Sequence, residues 1–162
     1  MNKTEAVKKI HSLLLEAQNV AKDELDLDNI FYNERFIELF MSEELGHEYG
    51  NNTQGGDGFE VDINKPTEYK AINLRSKGKG SFQFHWLSEN KIKKYKETEN
   101  MYFSVRDGVT IKEIYKVPTE KVSPYLDKNA TGSDDIGGHT SFSVEKLITE
   151  LGAVKVDRKK VI

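Results

Sequence analysis

Between Lys3 and Ala21 apolar residues recur at three- and four-residue spacing: Val7, Ile10, Leu14, Ala17 and Ala21, with Leu13 and Leu15 widening the stripe. That period predicts an amphipathic helix over 3–21. Residues 22–28 (Lys-Asp-Glu-Leu-Asp-Leu-Asp) read as a charged break. A second helix is expected to start with Asp28 or Asn29 as its cap and to stop at Gly46, which tolerates the left-handed C-terminal position. Ile30, Phe31, Phe36, Ile37, Leu39, Phe40, Met41 and Leu45 lie on most of its sides, so burial is expected.

The period then changes from helical to alternating. Residues 50–58 are a turn-rich loop, after which Phe59, Val61 and Ile63 alternate with Glu60 and Asp62 as in a half-buried strand. Asn64-Lys65-Pro66 makes a turn into a second strand, Thr67 to Leu74. Gly78-Lys79-Gly80 breaks the chain, and Ser81 to Leu87 forms a third, aromatic strand. Ser88 caps a helix running through Glu97, with Ile92 and Tyr95 facing inward. Met101 to Val105 is a fourth strand, and Asp107-Gly108 turns it into Thr110–Val117. Beyond Pro118 the pattern weakens: residues 127–140 read as a polar loop and Ser143 to Leu151 as a last helix. From 29 to 105 the order is helix, strand, strand, strand, helix, strand. The expected fold is α/β, an αβββαβ core with a mixed sheet of about four or five strands flanked by helices.

Composition narrows this picture. At 162 residues, 36% hydrophobic and 31% charged, the chain is sized for one domain with its own core. The expected division is an N-terminal helix (1–28), a core (29–105), and a hairpin, loop and C-terminal helix (106–162). There is no cysteine, which excludes disulfides and thiolate metal sites and suits a cytoplasmic location. No apolar run is long enough to span a bilayer, and Met1 to Ile10 lacks the apolar stretch of a secretory signal.

The net charge is −3 but unevenly spread. From Asp23 to Glu48 nine acids face one base, Arg35. From Lys70 to Lys96 eight bases (Lys70, Arg75, Lys77, Lys79, Lys91, Lys93, Lys94, Lys96) face one acid, Glu89. A basic stretch of this kind suits phosphate contacts, although two solvated faces of opposite sign would produce the same count.

Candidate chemistry concentrates in the 59–74 hairpin. Glu68 and Lys70 are two apart on a strand and leave the same face, while Tyr69 and Ala71 take the other. Asp57 lies at the mouth of the preceding strand among glycines. Asp57 and Glu68 offer hard oxygen ligands suited to Mg²⁺, and Lys70 is placed to work on an attacking water or on charge developing at a phosphate. If the hairpin is regular around Asn64–Pro66, Asp62 opposes Glu68 and Glu60 opposes Lys70. Asp57 would then need a bulge at Gly58 to reach that face, and Asp62 is the substitute. On the second predicted helix Glu34 falls on an apolar stripe with Ile30, Met41 and Leu45, where a charge requires a partner; Glu38 is its alternative.

Gly56-Asp57-Gly58 and Glu68-Tyr69-Lys70, in that order of elements, resemble the PD-(D/E)xK nuclease superfamily, most of all its small type II restriction endonucleases. The resemblance covers about residues 29–105. One departure is Gly56, where the motif's name calls for proline. It implies that Asp57 and Glu68 bind Mg²⁺, that Lys70 acts on the attacking water, and that Glu34 assists. The spacing of these nucleases favours Asp57 over Asp62. It further implies double-stranded DNA as substrate, and a palindromic site would require a homodimer. The 1–28 helix is the candidate contact.

Outside the motif, Gln83 and His85 alternate away from Phe82, Phe84 and Trp86 and are candidates for touching phosphate or a base edge. Arg75, Lys77 and Lys79 form a basic loop fitted to phosphates, and the lysines from 91 to 96 suit either DNA or plain solvent. His139, in Gly-Gly-His-Thr-Ser, is a candidate recognition residue, while His47 reads as closing a helix end. Two alternatives stay open: a structure-specific resolvase or repair nuclease of the same fold, and a non-catalytic DNA- or protein-binding module.

Overall fold

The computed structural model describes residues 1–50, 56–76, 80–131 and 138–159. Its contacts divide the chain into two compact units, Met1–Phe36 and Ile37–Ile162. Among the described residues no helix is long and apolar enough to cross a membrane.

The first unit is built on helix α1, Lys3–Leu25. A capping box starts it: the Glu5 amide donates to the Asn2 side chain at 3.0 Å, and the Asn2 amide donates to the Glu5 carboxylate at 2.8 Å. The helix runs a turn further than its apolar period predicts. Its last turn is held by charges: Lys22 pairs with Asp26 at 3.0 Å and Asp28 at 2.7 Å. Asp26 then closes it in the left-handed conformation, donating its amide to the Ala21 and Lys22 carbonyls. The charged run is therefore a helix end rather than a break. Val7, Ile10, Leu13, Leu14, Leu15, Val20 and Leu25 are exposed along α1.

The expected second helix does not begin at Asp28 or Asn29. The Asn29 side chain instead accepts the Tyr32 amide at 3.2 Å, and Tyr32–Glu34 is a 3₁₀ turn. Asn33 and Glu34 both have positive φ, 50° and 60°, a conformation that ends a right-handed helix. Helix α2 is Arg35–Leu45. Glu34 is thus a solvent-exposed turn residue, and the apolar stripe that singled it out does not include it.

In the second unit α2 ends as predicted at Gly46 (φ +72°), with the His47 amide donating to the Ser42 carbonyl at 2.9 Å. Among the described residues eight strands follow: β1 (Glu48–Tyr49), β2 (Gly58–Glu60), β3 (Lys65–Asn73), β4 (Phe82–Leu87), β5 (Asn100–Asp107), β6 (Thr110–Pro118), β7 (Gly138–Phe142) and β8 (Val154–Lys155). Six of them form one mixed sheet in the order β1-β2-β3-β5-β6-β8. Only β3 and β5 run parallel in it, with Glu68 beside Met101 and Lys70 beside Phe103. That parallel step needs a crossover, which β4 and helix α3 (Glu89–Lys96) supply. The core between them is aromatic: Phe82, Phe84, Phe103 and Phe142 are fully buried, and Phe84 meets Tyr95, Phe103 and Phe142 ring to ring.

Strand β4 does not join the main sheet. It pairs antiparallel with β7, a strand that the polar run at 138–142 did not announce. Phe82, Phe84 and Leu87 face the core, but the register shifts between Phe84 and Leu87 and Trp86 takes φ +56°. Trp86 is consequently 63% exposed instead of continuing the apolar alternation. Helix α4 (Thr119–Lys128) falls where the sequence pattern weakens beyond Pro118, and it contains a second proline, Pro124. Pro118 serves as its cap, and burial of Val122 and Leu126 outweighs the internal proline. Helix α5 is Val144–Thr149, within the predicted 143–151 helix, and Ser143 caps it.

Candidate active site

The β2–β3 hairpin is tighter than a regular extension from Asn64–Pro66. Gly58 opposes Thr67, Phe59 opposes Pro66 and Glu60 opposes Lys65, with no register shift. Residues Val61–Ile63 are a 3₁₀ turn closed by left-handed Asn64. Asp62 therefore sits exposed on that turn and does not oppose Glu68, nor does Glu60 oppose Lys70. Asp57 reaches the site from just before β2, without a bulge. Its amide donates to the Thr67 carbonyl at 2.9 Å, and its side chain accepts the Tyr69 amide at 2.8 Å.

Asp57, Glu68 and Lys70 line one cleft of about 1000 Å³ together with Ser88, Lys91 and Tyr95 of the α3 segment. Glu68 is 9% exposed. Lys70 Nζ donates to the Glu68 carboxylate and, at 3.2 Å, to the Tyr69 carbonyl. The ammonium lies over the rings of Phe84 and Tyr95, 5.2 and 5.7 Å from their centroids. Burial pushes the Glu68 carboxyl up to about 7, and the neighbouring Asp57 charge adds to that, against the opposing pull of Lys70. For Lys70, burial opposes the charged form, but the carboxylates of Glu68 and Asp57 outweigh it and raise its pKa. Lys70 is accordingly a cation at neutral pH.

The other face of β3 carries a second polar cluster. Tyr69 Oη accepts from Ser42 Oγ at 3.1 Å and meets His47 Nδ1 at 2.9 Å. Next to it the buried Glu60 carboxylate accepts from Asn100 at 3.0 Å and from Tyr102 Oη at 2.9 Å. His47 thus closes the helix with its amide and braces Tyr69 with its ring, and burial holds its pKa down despite Glu60. Tyr69 passes directly beneath Gly58: a Cβ there would fall 2.1 Å from Tyr69 Oη. Gly58→Ala is expected to displace the ring, cost about 1–3 kcal/mol by overpacking, and loosen the amide that holds Asp57. Urea titration and cleavage assays of this variant check both effects.

The remaining sequence candidates separate by location. Gln83, His85 and His139 come together on the β4–β7 ribbon: His139 hydrogen-bonds Gln83, and the two histidine rings are 4.9 Å apart. Arg75 is exposed and paired with Asp107 at the β5–β6 turn. Lys77 and Lys79 lie outside the described residues. Glu34 belongs to the first unit. Among the described residues no group of three or more His, Cys, Asp or Glu could hold a metal, so the carboxylate donors of the cleft are the pair Asp57 and Glu68. In the sequence Lys91 is one of four lysines suited to DNA or to solvent, and Ser88 and Tyr95 read as helix cap and packing. They line the cleft because α3, on the crossover from β3 to β5, lies beside Glu68 and Lys70.

A helix, a mixed sheet with its acidic pair and lysine at the β2–β3 hairpin, and a crossover helix define a type II restriction-endonuclease-like deoxyribonuclease of the PD-(D/E)xK kind. The chain belongs to the family of restriction endonuclease PvuII, whose family model matches residues 2–139. No curated protein matches the chain.

Proposed function

We propose that this chain hydrolyses phosphodiester bonds of double-stranded DNA with Mg²⁺, at a specific sequence, through Asp57, Glu68 and Lys70. The observation that carries the reading is their convergence on one cleft under a lysine-rich helix. The donor set fits the ion: Mg²⁺ takes one or two carboxylates and fills its remaining positions with water and phosphate. Asp57 and Glu68 would hold it, and a cation would offset the burial and the Asp57 charge that raise Glu68. When bound, the ion supplies charge stabilisation at the phosphate and a more acidic water.

The protein's own groups do the rest. The Tyr69 amide fixes Asp57. Lys70, charged and pinned by Glu68 and the Tyr69 carbonyl, orients the attacking water and offsets charge on the phosphate. Gln83, His85 and His139 on the ribbon, with Arg75, Lys77 and Lys79, are assigned to the DNA. The exposed apolar residues of α1 support a homodimer through that helix, as a two-fold DNA site requires. Glu34, an exposed turn residue, is retained only as an assisting carboxylate.

Incubation with supercoiled plasmid is expected to give discrete bands with Mg²⁺ and none with EDTA, and end sequencing maps the cut. A smear, or cutting confined to branched substrates, contradicts sequence-specific cleavage. Because burial raises the Glu68 carboxyl toward neutral pH and the group must be ionised to bind metal, Ca²⁺ affinity should rise as pH goes from 6 to 8. Calorimetric titration at the two pH values reads that slope; a flat profile removes Glu68 from the metal site.

A further inference from the structure

Lys91 differs from its neighbours on α3. Lys93 and Lys94 are exposed, and Lys96 pairs with Asp127 at 2.8 Å. Lys91, Lys93 and Lys94 all line the cleft, and of these three Lys91 is the partly buried one. It stands in the first turn of the helix, its amide donating to the Ser88 cap at 3.2 Å, where the helix dipole disfavours a cation. Its Nζ lies 5.9 Å from the Tyr95 ring centroid, and the same ring receives Lys70 Nζ at 5.7 Å. Burial and the Lys70 charge both press the Lys91 ammonium toward neutrality, against the pull of Glu68 and Asp57. Of its three donors, the described hydrogen bond uses one, to the His85 carbonyl at 2.9 Å. Two ammonium groups on one ring, beside a helix N-terminus, are a poor arrangement in isolation. A phosphate between them turns each of those costs into an attraction.

Resting on the nuclease reading above, we propose that Lys91 is a further catalytic residue, a second cation that contacts the non-bridging oxygens of the scissile phosphate opposite Lys70. In the hydrolysis a water oxygen bonds to phosphorus, the ester P–O bond breaks, and one water proton ends on the departing oxygen while the other is lost to solvent. Lys91 exchanges no proton in this step. It offsets the charge that accumulates on the phosphoryl oxygens as the bond changes hands. The tether to His85 places that cation on the strand that also carries the proposed DNA contacts.

The test is single-turnover cleavage of a duplex containing the mapped cut site, with enzyme in excess and Mg²⁺ present. Wild type, Lys91→Met, Lys91→Arg and Lys70→Ala are compared. Lys91→Met keeps the stem on Tyr95 and removes the charge. It should cut about a hundredfold more slowly at saturating enzyme, with DNA affinity in Ca²⁺ changed only a few-fold, and Lys91→Arg should recover most of the rate. Lys91→Gln, measured below its melting temperature, gives the same comparison if the methionine variant is unstable. A saturated Lys91→Met rate equal to wild type overturns the inference alone, as does a defect that more enzyme abolishes, which makes Lys91 a ground-state contact only. Failure of the wild type to cut overturns the nuclease reading and this inference with it.

Discussion

Lys70→Ala is expected to abolish detectable cleavage, a loss of about 10³-fold or more, while DNA binding in Ca²⁺ stays within a few-fold at alkaline pH. Two effects add. The variant loses the ammonium hydrogen-bonded to Glu68. It also loses the cation that restrains the pKa of Glu68, so the buried carboxyl rises further and takes up a proton at neutral pH. The sign is definite: removal of a nearby positive charge disfavours the carboxylate. Metal affinity of the variant should therefore fall most at pH 7 and recover toward pH 9, whereas cleavage should not recover. Lys70→Arg is not expected to rescue, because a planar guanidinium does not reproduce the compact ammonium that donates to Glu68 and to the Tyr69 carbonyl. A Lys70→Ala enzyme that cuts at the wild-type rate places the chemistry elsewhere.

Arg158→Ala is expected to be the most destabilising surface-to-core change in the second unit. Glu44 of α2 is 1% exposed, and one carboxylate oxygen accepts from Arg158 at 2.7 Å. The other has no hydrogen-bond partner among the described residues. Arg158 also donates to the Ile111 carbonyl at 2.7 Å, and the Lys159 amide donates to the Glu44 carbonyl at 3.1 Å. The chain end after β8 is thereby stitched to α2 and to β6. Removing the arginine leaves a buried charge uncompensated, which costs about 3–5 kcal/mol and on the order of 10 °C in melting temperature for a chain this size. Glu44→Leu combined with Arg158→Leu should restore much of that, since an apolar pair needs no desolvation. Calorimetry of the single and double variants decides it. Because Ser42, two residues from Glu44, braces Tyr69, the single variant should also loosen the hairpin that holds Asp57.

Much of the architecture is legible along the chain because local physics dictates it. The stripe from Val7 to Ala21, the Ser88 cap, the last helix from Ser143, the stop at Gly46 and the Asp107-Gly108 turn all correspond to observed elements. So does the order from α2 through β5 that carries the family resemblance, with the two-residue strand β1 added. Where prediction and structure part, backbone conformation or a non-local contact decides. Positive φ at Asn33 and Glu34 moves the start of α2 and takes Glu34 off the apolar face. Pairing with β7 draws β4 out of the main sheet. Packing of Val122 and Leu126 sustains α4 across Pro124.

The same division holds at the β2–β3 hairpin. Period-two geometry alone puts Glu68 and Lys70 on one face of a strand, so their pairing follows from the sequence in any register. The acid that joins them does not. Asp57 and Asp62 are chemically equivalent, and the choice between them depends on where the hairpin turns. The 3₁₀ turn at Val61–Ile63 strands Asp62 in solvent, and the Tyr69 amide captures Asp57. Lys91 divides in the same way. Its i,i+4 spacing sets it beside Tyr95 on α3 and separates it from Lys93 and Lys94, but only the tertiary fold brings Lys70 to the same ring.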